Sequence, residues 1–260
     1  LSAAFHVIIP ARLGSTRLPG KPLLEIAGRP LIEWVWERAR ASGAASVIIA
    51  TDDASIGEAA QRFGADCVLT DPQHASGTDR IAEVVRARRF GAHELIVNLQ
   101  GDEPLVPPEV IARVAQALDQ HPRIDIASAA APITSLAEFL DPNCVKALAD
   151  RAGRALYFSR APVPWPREHS PAGRPQRFDG ALRHIGLYAY RVSSLLRFAA
   201  LAPTVLEQAE KLEQLRALEH GLALHLVRLD AAPPAGVDTP EDLERVRAHL
   251  ASSIGAGRRP

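Results

Sequence analysis

Residues 10–21 read PARLGSTRLPGK, directly after the apolar run FHVII at 5–9. A short aliphatic strand followed by a glycine-bearing basic loop opens many α/β folds, whose ligands gather outside the C-terminal strand ends. The spacing fits neither common phosphate-binding pattern. Five residues separate Gly14 from Gly20, and Lys21 precedes Pro22, whereas a Walker A loop has four residues between its glycines and Ser or Thr after its Lys. No glycine stands two positions after Gly14, so the dinucleotide turn is absent as well. What remains is three cations, Arg12, Arg17 and Lys21, with no acid between Pro10 and Leu24. Such a concentration of charge is met by solvent or by a bound anion. The loop's place after the first strand, with glycine N–H groups free to face phosphate oxygens, favours the anion.

Outward from this loop, strand-like runs alternate with helical patterns. Helices are predicted over about 31–42, 54–63, 78–89 and 108–119, and strands at VIIAT, DCVLT and LIVNL. That alternation predicts a mostly parallel sheet with helices on both faces. From about residue 125 the rhythm changes to DIASAAAPI, CVKALAD and RALYFSR, the last two joined by a hairpin-like turn at Asp150–Gly153, so antiparallel pairing is expected there. Residues 161–177, APVPWPREHSPAGRPQR, hold too many prolines for helix or central strand and predict a long exposed loop. HIGLYAYR and LALHLVRL read as further strands, with helices at about 193–200 and 205–220 and a last helix at TPEDLERVRAHL. The tail from Ser252 to Pro260 is expected to be disordered.

Composition narrows the function. The chain has 260 residues, 30 basic and 30 acidic, for zero formal charge, so no global field draws nucleic acid or an anionic membrane and any phosphate affinity is local. Cys67 and Cys144 form no C-x-x-C pair, which argues against a disulfide scaffold or structural zinc and fits a reducing compartment. No apolar run reaches the length of a membrane span of about 20 residues, and a cytoplasmic protein is expected. The nine histidines show no H-E-x-x-H spacing, and no G-x-S-x-G elbow occurs.

Two acidic motifs complement the basic loop. QGDEP, Gln100 to Pro104, follows LIVNL, so that strand delivers Asp102 to the rim of the sheet. A carboxylate facing a polyphosphate is a means of placing Mg²⁺, which prefers oxygen ligands and keeps waters; the same Gly-Asp pair also makes a plain turn. In GVDTPEDLERV, Thr239, Pro240 and Asp242 read as helix cap, first helical residue and first-turn acid. Asp238 is left over, either as a second metal ligand or as a turn residue. A dispersed set completes the candidates: Ser159, Arg160, Trp165, Arg167, Arg183, His184 and Tyr188. Hydroxyls, an imidazole and guanidinium groups suit a polar, carboxylated ligand, since Arg binds carboxylate through two parallel hydrogen bonds. A single His in a strand is also commonly a structural residue.

Taken together, IIPARLGSTRLPGKPLLEIAGRPLI, SGTDRIAEV, IVNLQGDEP, ALYFSR, PWPR, LRHIGLYAYR, LEQLRAL and GVDTPEDLERV resemble the 3-deoxy-manno-octulosonate cytidylyltransferase family, in order, from Val7 to about Leu250. The resemblance implies a Rossmann-like nucleotidyltransferase fold in one domain over 1–251, with 132–192 as a sugar-binding and dimerisation insertion. It implies transfer of a cytidylyl group from CTP to the anomeric 2-hydroxyl of 3-deoxy-D-manno-octulosonate (Kdo), with release of pyrophosphate, for lipopolysaccharide assembly. It further implies Mg²⁺ dependence and a homodimer. By resemblance, Arg12 and Lys21 bind the triphosphate with Ser15 and Thr16 in the same loop, Ser76 and Gly77 lie near cytosine and ribose, Gln100 serves the nucleotide as well as the sugar acid, and Asp102 and Asp238 hold Mg²⁺. Gln100, Arg17, Arg160, Arg167, His184, Tyr188, Glu213 and Gln214 are implied for the sugar acid. The alternatives are activation of another acidic sugar (8-amino-Kdo or a sialic acid), a non-catalytic nucleotide-binding regulator, and a glycosyltransferase, whose usual D-x-D metal motif QGDEP lacks.

Overall fold

The computed structural model describes residues 3–14, 17–167 and 178–256. The chain divides into two compact units, residues 1–112 with 233–260, and residues 113–232.

The first unit begins with β1 (Phe5–Ala11), a 3₁₀ turn (Lys21–Leu23), the two-residue strands β2 (Glu25–Ile26) and β3 (Arg29–Pro30), and α1 (Leu31–Ala41). It continues through β4 (Ser46–Thr51), α2 (Ala54–Arg62), β5 (Asp66–Leu69), α3 (Gly77–Ala87) and β6 (Leu95–Asn98), and α4 (Pro108–Gln120) carries the chain into the second unit. Parallel pairing gives the order β5, β4, β1, β6, with Val7 opposite Val47 on one side and Val97 on the other. Successive β1 residues Val7, Ile8 and Ile9 are all fully buried, as expected for a strand covered on both faces. From β1 the chain builds β4 and β5 to one side and then β6 to the other. The order reverses between β1 and β6, and the crevice outside their C-terminal ends is where such sheets bind ligands. Both QGDEP and the basic loop leave from those ends.

The second unit holds β7 (Ile126–Pro132), α5 (Leu136–Leu140), β8 (Lys146–Ala149), β9 (Ala155–Ser159), β10 (Leu182–Arg191), α6 (Val192–Ala199), α7 (Val205–Glu210), α8 (Gln214–Glu219) and β11 (Leu224–Arg228). Here β10 runs antiparallel to β7 and β8, and β8 antiparallel to β9, while β11 is parallel to β7. The Asp150 carboxylate accepts from the N–H groups of Ala152 and Arg154, both at 2.9 Å, and Gly153 takes a left-handed φ of 81°, which makes the expected β8–β9 turn. The last helix, α9 (Pro240–Ala256), belongs to the first unit.

Three expectations need correction. The helix predicted over 205–220 is two short ones, because Lys211 sits in the left-handed region at φ 55° and ends α7. The bend buries Leu212, Gln214 and Leu215, and Arg216 ties the two helices by donating to both Glu207 oxygens at 2.8 and 2.5 Å. The last helix, read from TPEDLERVRAHL, continues past Ser252 to Ala256. The strand expected through Ile133 ends at Pro132, although the Ile133 N–H still donates to the Ala181 carbonyl at 3.1 Å. Residues 161–167 have no regular structure; the rest of that loop (168–177), Ser15, Thr16 and 257–260 lie outside the described residues.

Candidate active site

Three segments distant in sequence meet in the first unit, and each is pinned by its own apolar residue. Leu18 of the basic loop, Leu105 after QGDEP and Val237 before Asp238 all belong to one buried cluster with Ile26, Leu31, Trp34 and the α9 residues Leu243, Val246 and Leu250. Burying each such side chain contributes about 1.5–3 kcal/mol, so the polar neighbours are positioned by the core rather than by their own attractions. The GVD segment also joins QGDEP directly, the Val237 N–H donating to the Asp102 carbonyl at 2.9 Å. Gly236 is required there, since a Cβ would stand 2.7 Å from that carbonyl oxygen and 2.8 Å from Glu103 Cδ. Gly101 serves in the same way, a Cβ at that position falling 2.9 Å from the Pro10 carbonyl oxygen at the end of β1.

Lys21 stands at the meeting point. Its Nζ donates to Asp102 Oδ2 at 2.6 Å, to the Val237 carbonyl at 2.8 Å and to Asp238 Oδ1 at 3.1 Å. Burial alone pulls the ammonium's pKa down, but Asp102 and Asp238 together outweigh it and hold the pKa above its usual value. Arg17 Nη2 adds a second contact to Asp238 Oδ1 at 3.2 Å. The cap predicted for α9 forms as a reciprocal pair, the Asp242 N–H donating to Thr239 Oγ1 and the Thr239 N–H to Asp242 Oδ2. Asp242 Oδ2 also accepts from the Asp238 N–H at 3.0 Å. Asp238 therefore leaves its carboxylate to the site while its backbone is fixed by the cap.

A cavity of about 390 Å³ opens on this cluster. Of the residues expected to serve nucleotide and metal, Arg12, Lys21, Ser76, Gly77, Gln100, Asp102 and Asp238 line it, as does Arg17. Ser76 starts α3 through a capping box with Asp79, which fixes the lip on which Gly77 presents its backbone. Two lining residues escaped the sequence reading. Arg80 is buried and held by Asp52 at 2.8 Å and by Thr70, and His74 pairs with Glu83 at 2.5 Å. Their partners are remote in sequence or differently spaced, which no local pattern reports.

In the second unit, His184 and Tyr188 lie on β10 with ring centroids 5.4 Å apart, and Phe158 of β9 meets the His184 ring edge-on at 4.9 Å. Ser128 Oγ lies 2.9 Å from His184 Nε2 and within reach of the Leu187 and Ile185 carbonyls, at 2.9 and 3.2 Å. Ser128 Oγ thus sits among one imidazole nitrogen and two carbonyl oxygens, which pins the ring of His184 against β7. Enclosure of the ring pushes the His184 pKa down to about 3, so the imidazole is neutral at neutral pH. Burial, and then the charge of Glu213, pushes the Tyr188 hydroxyl up. Arg160 is held at both ends, Nε donating to the Glu210 carbonyl at 2.7 Å and Nη1 to the Pro142 carbonyl at 3.0 Å. The Glu210 carboxylate accepts from Ser159 Oγ at 2.6 Å and from the Arg160 N–H at 2.8 Å. Gln214 is buried and Arg167 exposed, while Arg183 pairs with Glu138 at 3.2 Å.

The low pKa of His184 has a thermodynamic signature. The unfolded chain, with a pKa of 6.5, takes up the proton before the folded one does. Stability is therefore complete above pH 6.5 and falls as pH drops toward 3, by up to about 1.4 kcal/mol per pH unit. His184→Gln removes this titration. Its denaturation midpoint is expected to fall less steeply than the parent's between pH 6.5 and 4; parallel curves would count against a neutral, enclosed imidazole.

The chain is similar to known proteins over most of its length. The Cytidylyltransferase family model matches residues 6–226. A 3-deoxy-manno-octulosonate cytidylyltransferase from Pseudomonas fluorescens is 52% identical over 252 residues, covering 96% of this chain and 99% of that protein. The chain belongs to the 3-deoxy-manno-octulosonate cytidylyltransferase family. A relative of the same description from Halorhodospira halophila is 50% identical, over 96% of this chain and 98% of that protein. Among solved structures, CMP:2-keto-3-deoxy-manno-octonic acid synthetase complexed with CTP superposes with a TM-score of 0.86 at 42% identity, covering 97% of this chain and all of that one. A cytidylyltransferase from Leptospira borgpetersenii shares the fold at a TM-score of 0.60 and 15% identity, covering 96% of this chain and 87% of that one.

Proposed function

We infer that the protein transfers the cytidylyl group of CTP to the anomeric hydroxyl of Kdo. The hydroxyl oxygen forms a bond to the α-phosphorus, the bond from that phosphorus to the bridging oxygen breaks, the hydroxyl proton passes to solvent, and pyrophosphate leaves. The observation that carries this reading is the convergence of Arg12, Arg17, Lys21, Asp102 and Asp238 on one cavity at the C-terminal ends of β1 and β6, in a chain of this family. Charge is the chief obstacle to such a displacement. Arg12 and Lys21 are suited to offset it on the triphosphate, and a bound nucleotide aligned in the crevice supplies proximity. Ser15 and Thr16, Ser76, Gly77 and Gln100 complete the proposed nucleotide site.

The residues fit a magnesium ion. Asp102 and Asp238 present hard oxygen donors that already share one cation, the Lys21 ammonium, beside an open cavity, and Mg²⁺ in nucleotide sites takes one or two carboxylates together with phosphate and water. Asp102 and Asp238 would hold it, and bound there it would supply positive charge to the phosphates. For the sugar acid we propose the second unit's Arg160, Arg167, His184, Tyr188, Glu213 and Gln214. A neutral His184 suits a sugar hydroxyl, and the tethered Arg160 suits the carboxylate. A homodimer and a cytoplasmic setting belong to the same proposal and rest on the family resemblance.

The direct test is incubation with CTP, Mg²⁺ and a panel of Kdo, 8-amino-Kdo and a sialic acid, following pyrophosphate release. Release with Kdo in clear excess over the others is expected, and release independent of any sugar acid would overturn the reading. Arg160→Ala is expected to raise KM for the sugar acid about 10- to 100-fold through loss of a charged hydrogen bond, with KM for CTP unchanged. A rise in KM for CTP instead would place Arg160 elsewhere.

A further inference from the structure

An ammonium group has three hydrogens to donate and no capacity to accept. In Lys21 all three are committed, to Asp102, to Asp238 and to the Val237 carbonyl, at 2.6, 3.1 and 2.8 Å. The side chain is only 13% exposed, so little solvent intervenes. The proposed function, on which the present inference rests, asks the same ammonium to face the triphosphate and the same two carboxylates to face a divalent cation. Lys21 cannot do both at once, because a donor given to a phosphate oxygen is withdrawn from a carboxylate.

We propose that Lys21 is the resident cation of the carboxylate pair and that it competes with divalent metal until the triphosphate draws it away. Two features support an exchange rather than a fixed salt bridge. The backbone under Lys21 is anchored, by Gly20 at φ 67° and by the buried Leu18 and Pro22, while its four-carbon stem can swing. The carboxylates, in turn, keep their places without Lys21: Asp102 is fixed through the Val237 N–H to its carbonyl, and Asp238 through the Asp242 cap. When the ammonium leaves, the two carboxylates stay near one another with their charges uncompensated, which is the condition for taking up a divalent ion. Before nucleotide arrives, the ammonium keeps two like charges from repelling and occupies the centre between them. Metal entry and nucleotide entry are thereby coupled, and the coupling acts equally in both directions.

The measurement is Mn²⁺ binding to the intact protein with neither nucleotide nor sugar present, read as loss of the free-ion electron paramagnetic resonance signal. The parent is expected to bind weakly. Lys21→Gln, and the nearly isosteric Lys21→Met as a second variant, are expected to bind about tenfold tighter or better, because a neutral side chain leaves both carboxylates unopposed at short range. Arg17→Ala, which touches Asp238 alone from an exposed position, is expected to shift the affinity less than either. Unchanged or weaker Mn²⁺ binding in both Lys21 variants would overturn the proposal, as would a parent that binds as tightly as they do. Since no substrate is present, these outcomes are independent of which sugar, if any, the enzyme activates.

Discussion

Asp102→Asn is expected to lower kcat/KM by about a thousandfold or more, because it removes a proposed ligand of the magnesium ion that would supply charge to the phosphates, and losing one preorganised electrostatic group has that scale. The substitution keeps the shape of the side chain and one oxygen for Lys21, removes the charge and turns the second oxygen into an NH₂ donor. Asp102 sits at a partly exposed rim with its side chain 32% accessible, so folding stability is expected to change by less than about 1 kcal/mol. Steady-state kinetics paired with chemical denaturation checks both parts. A rate within tenfold of the parent would remove Asp102 from the machinery, and a rate loss matched by unfolding would make it structural.

The second large effect is expected at a residue with no functional group. In Gly236→Ala the new methyl would lie 2.7 Å from the Asp102 carbonyl oxygen. Glu103 can swing aside, but the carbonyl is main chain and accepts the Val237 N–H. The GVD segment therefore has to lift, which carries Asp238 away from Lys21 and Asp102. A displacement of about 1 Å in a catalytic constellation costs on the order of a hundredfold in rate, and the overpacking itself about 1–3 kcal/mol of stability. Both are measurable on the same purified variant. Kinetics within about twofold of the parent would mean that the segment's register is irrelevant to turnover.

Much of this site was legible because its residues sit beside strong local signals. The apolar runs of β1 and β6 announce strands, and a loop leaving the C-terminal end of a strand in an α/β sheet lies at the rim, so the placement of Arg12, Lys21 and Asp102 could be read forwards. Asp238 became conspicuous by subtraction, once Thr239, Pro240 and Asp242 were used up as a helix start. Ser128 had a local signal that went unread: it is the one hydroxyl in the strand IASAAAP, and a polar group in so apolar a stretch must find a partner, here His184.

Other features left no trace along the chain. Lys211 breaks the helix over 205–220 without glycine or proline, because burial of Leu212 and the Arg216–Glu207 pair across the break outweigh local helix propensity. Glu210, which gathers Ser159 and Arg160, is fifty residues from them. The three partners of Lys21 are likewise a property of the folded chain alone, and only that geometry shows a cationic side chain occupying the place proposed for metal.

The apolar cluster that unites Leu18, Leu105 and Val237 bears on how the enzyme comes into being. A ribosome releases the basic loop and the first carboxylate early, yet the second carboxylate and the helix that seals the cluster emerge more than a hundred residues later. On the proposed reading, the site of a nascent chain is complete only once that C-terminal return has docked. Clipping that terminal helix after synthesis would silence the molecule without touching a single residue of the cavity wall.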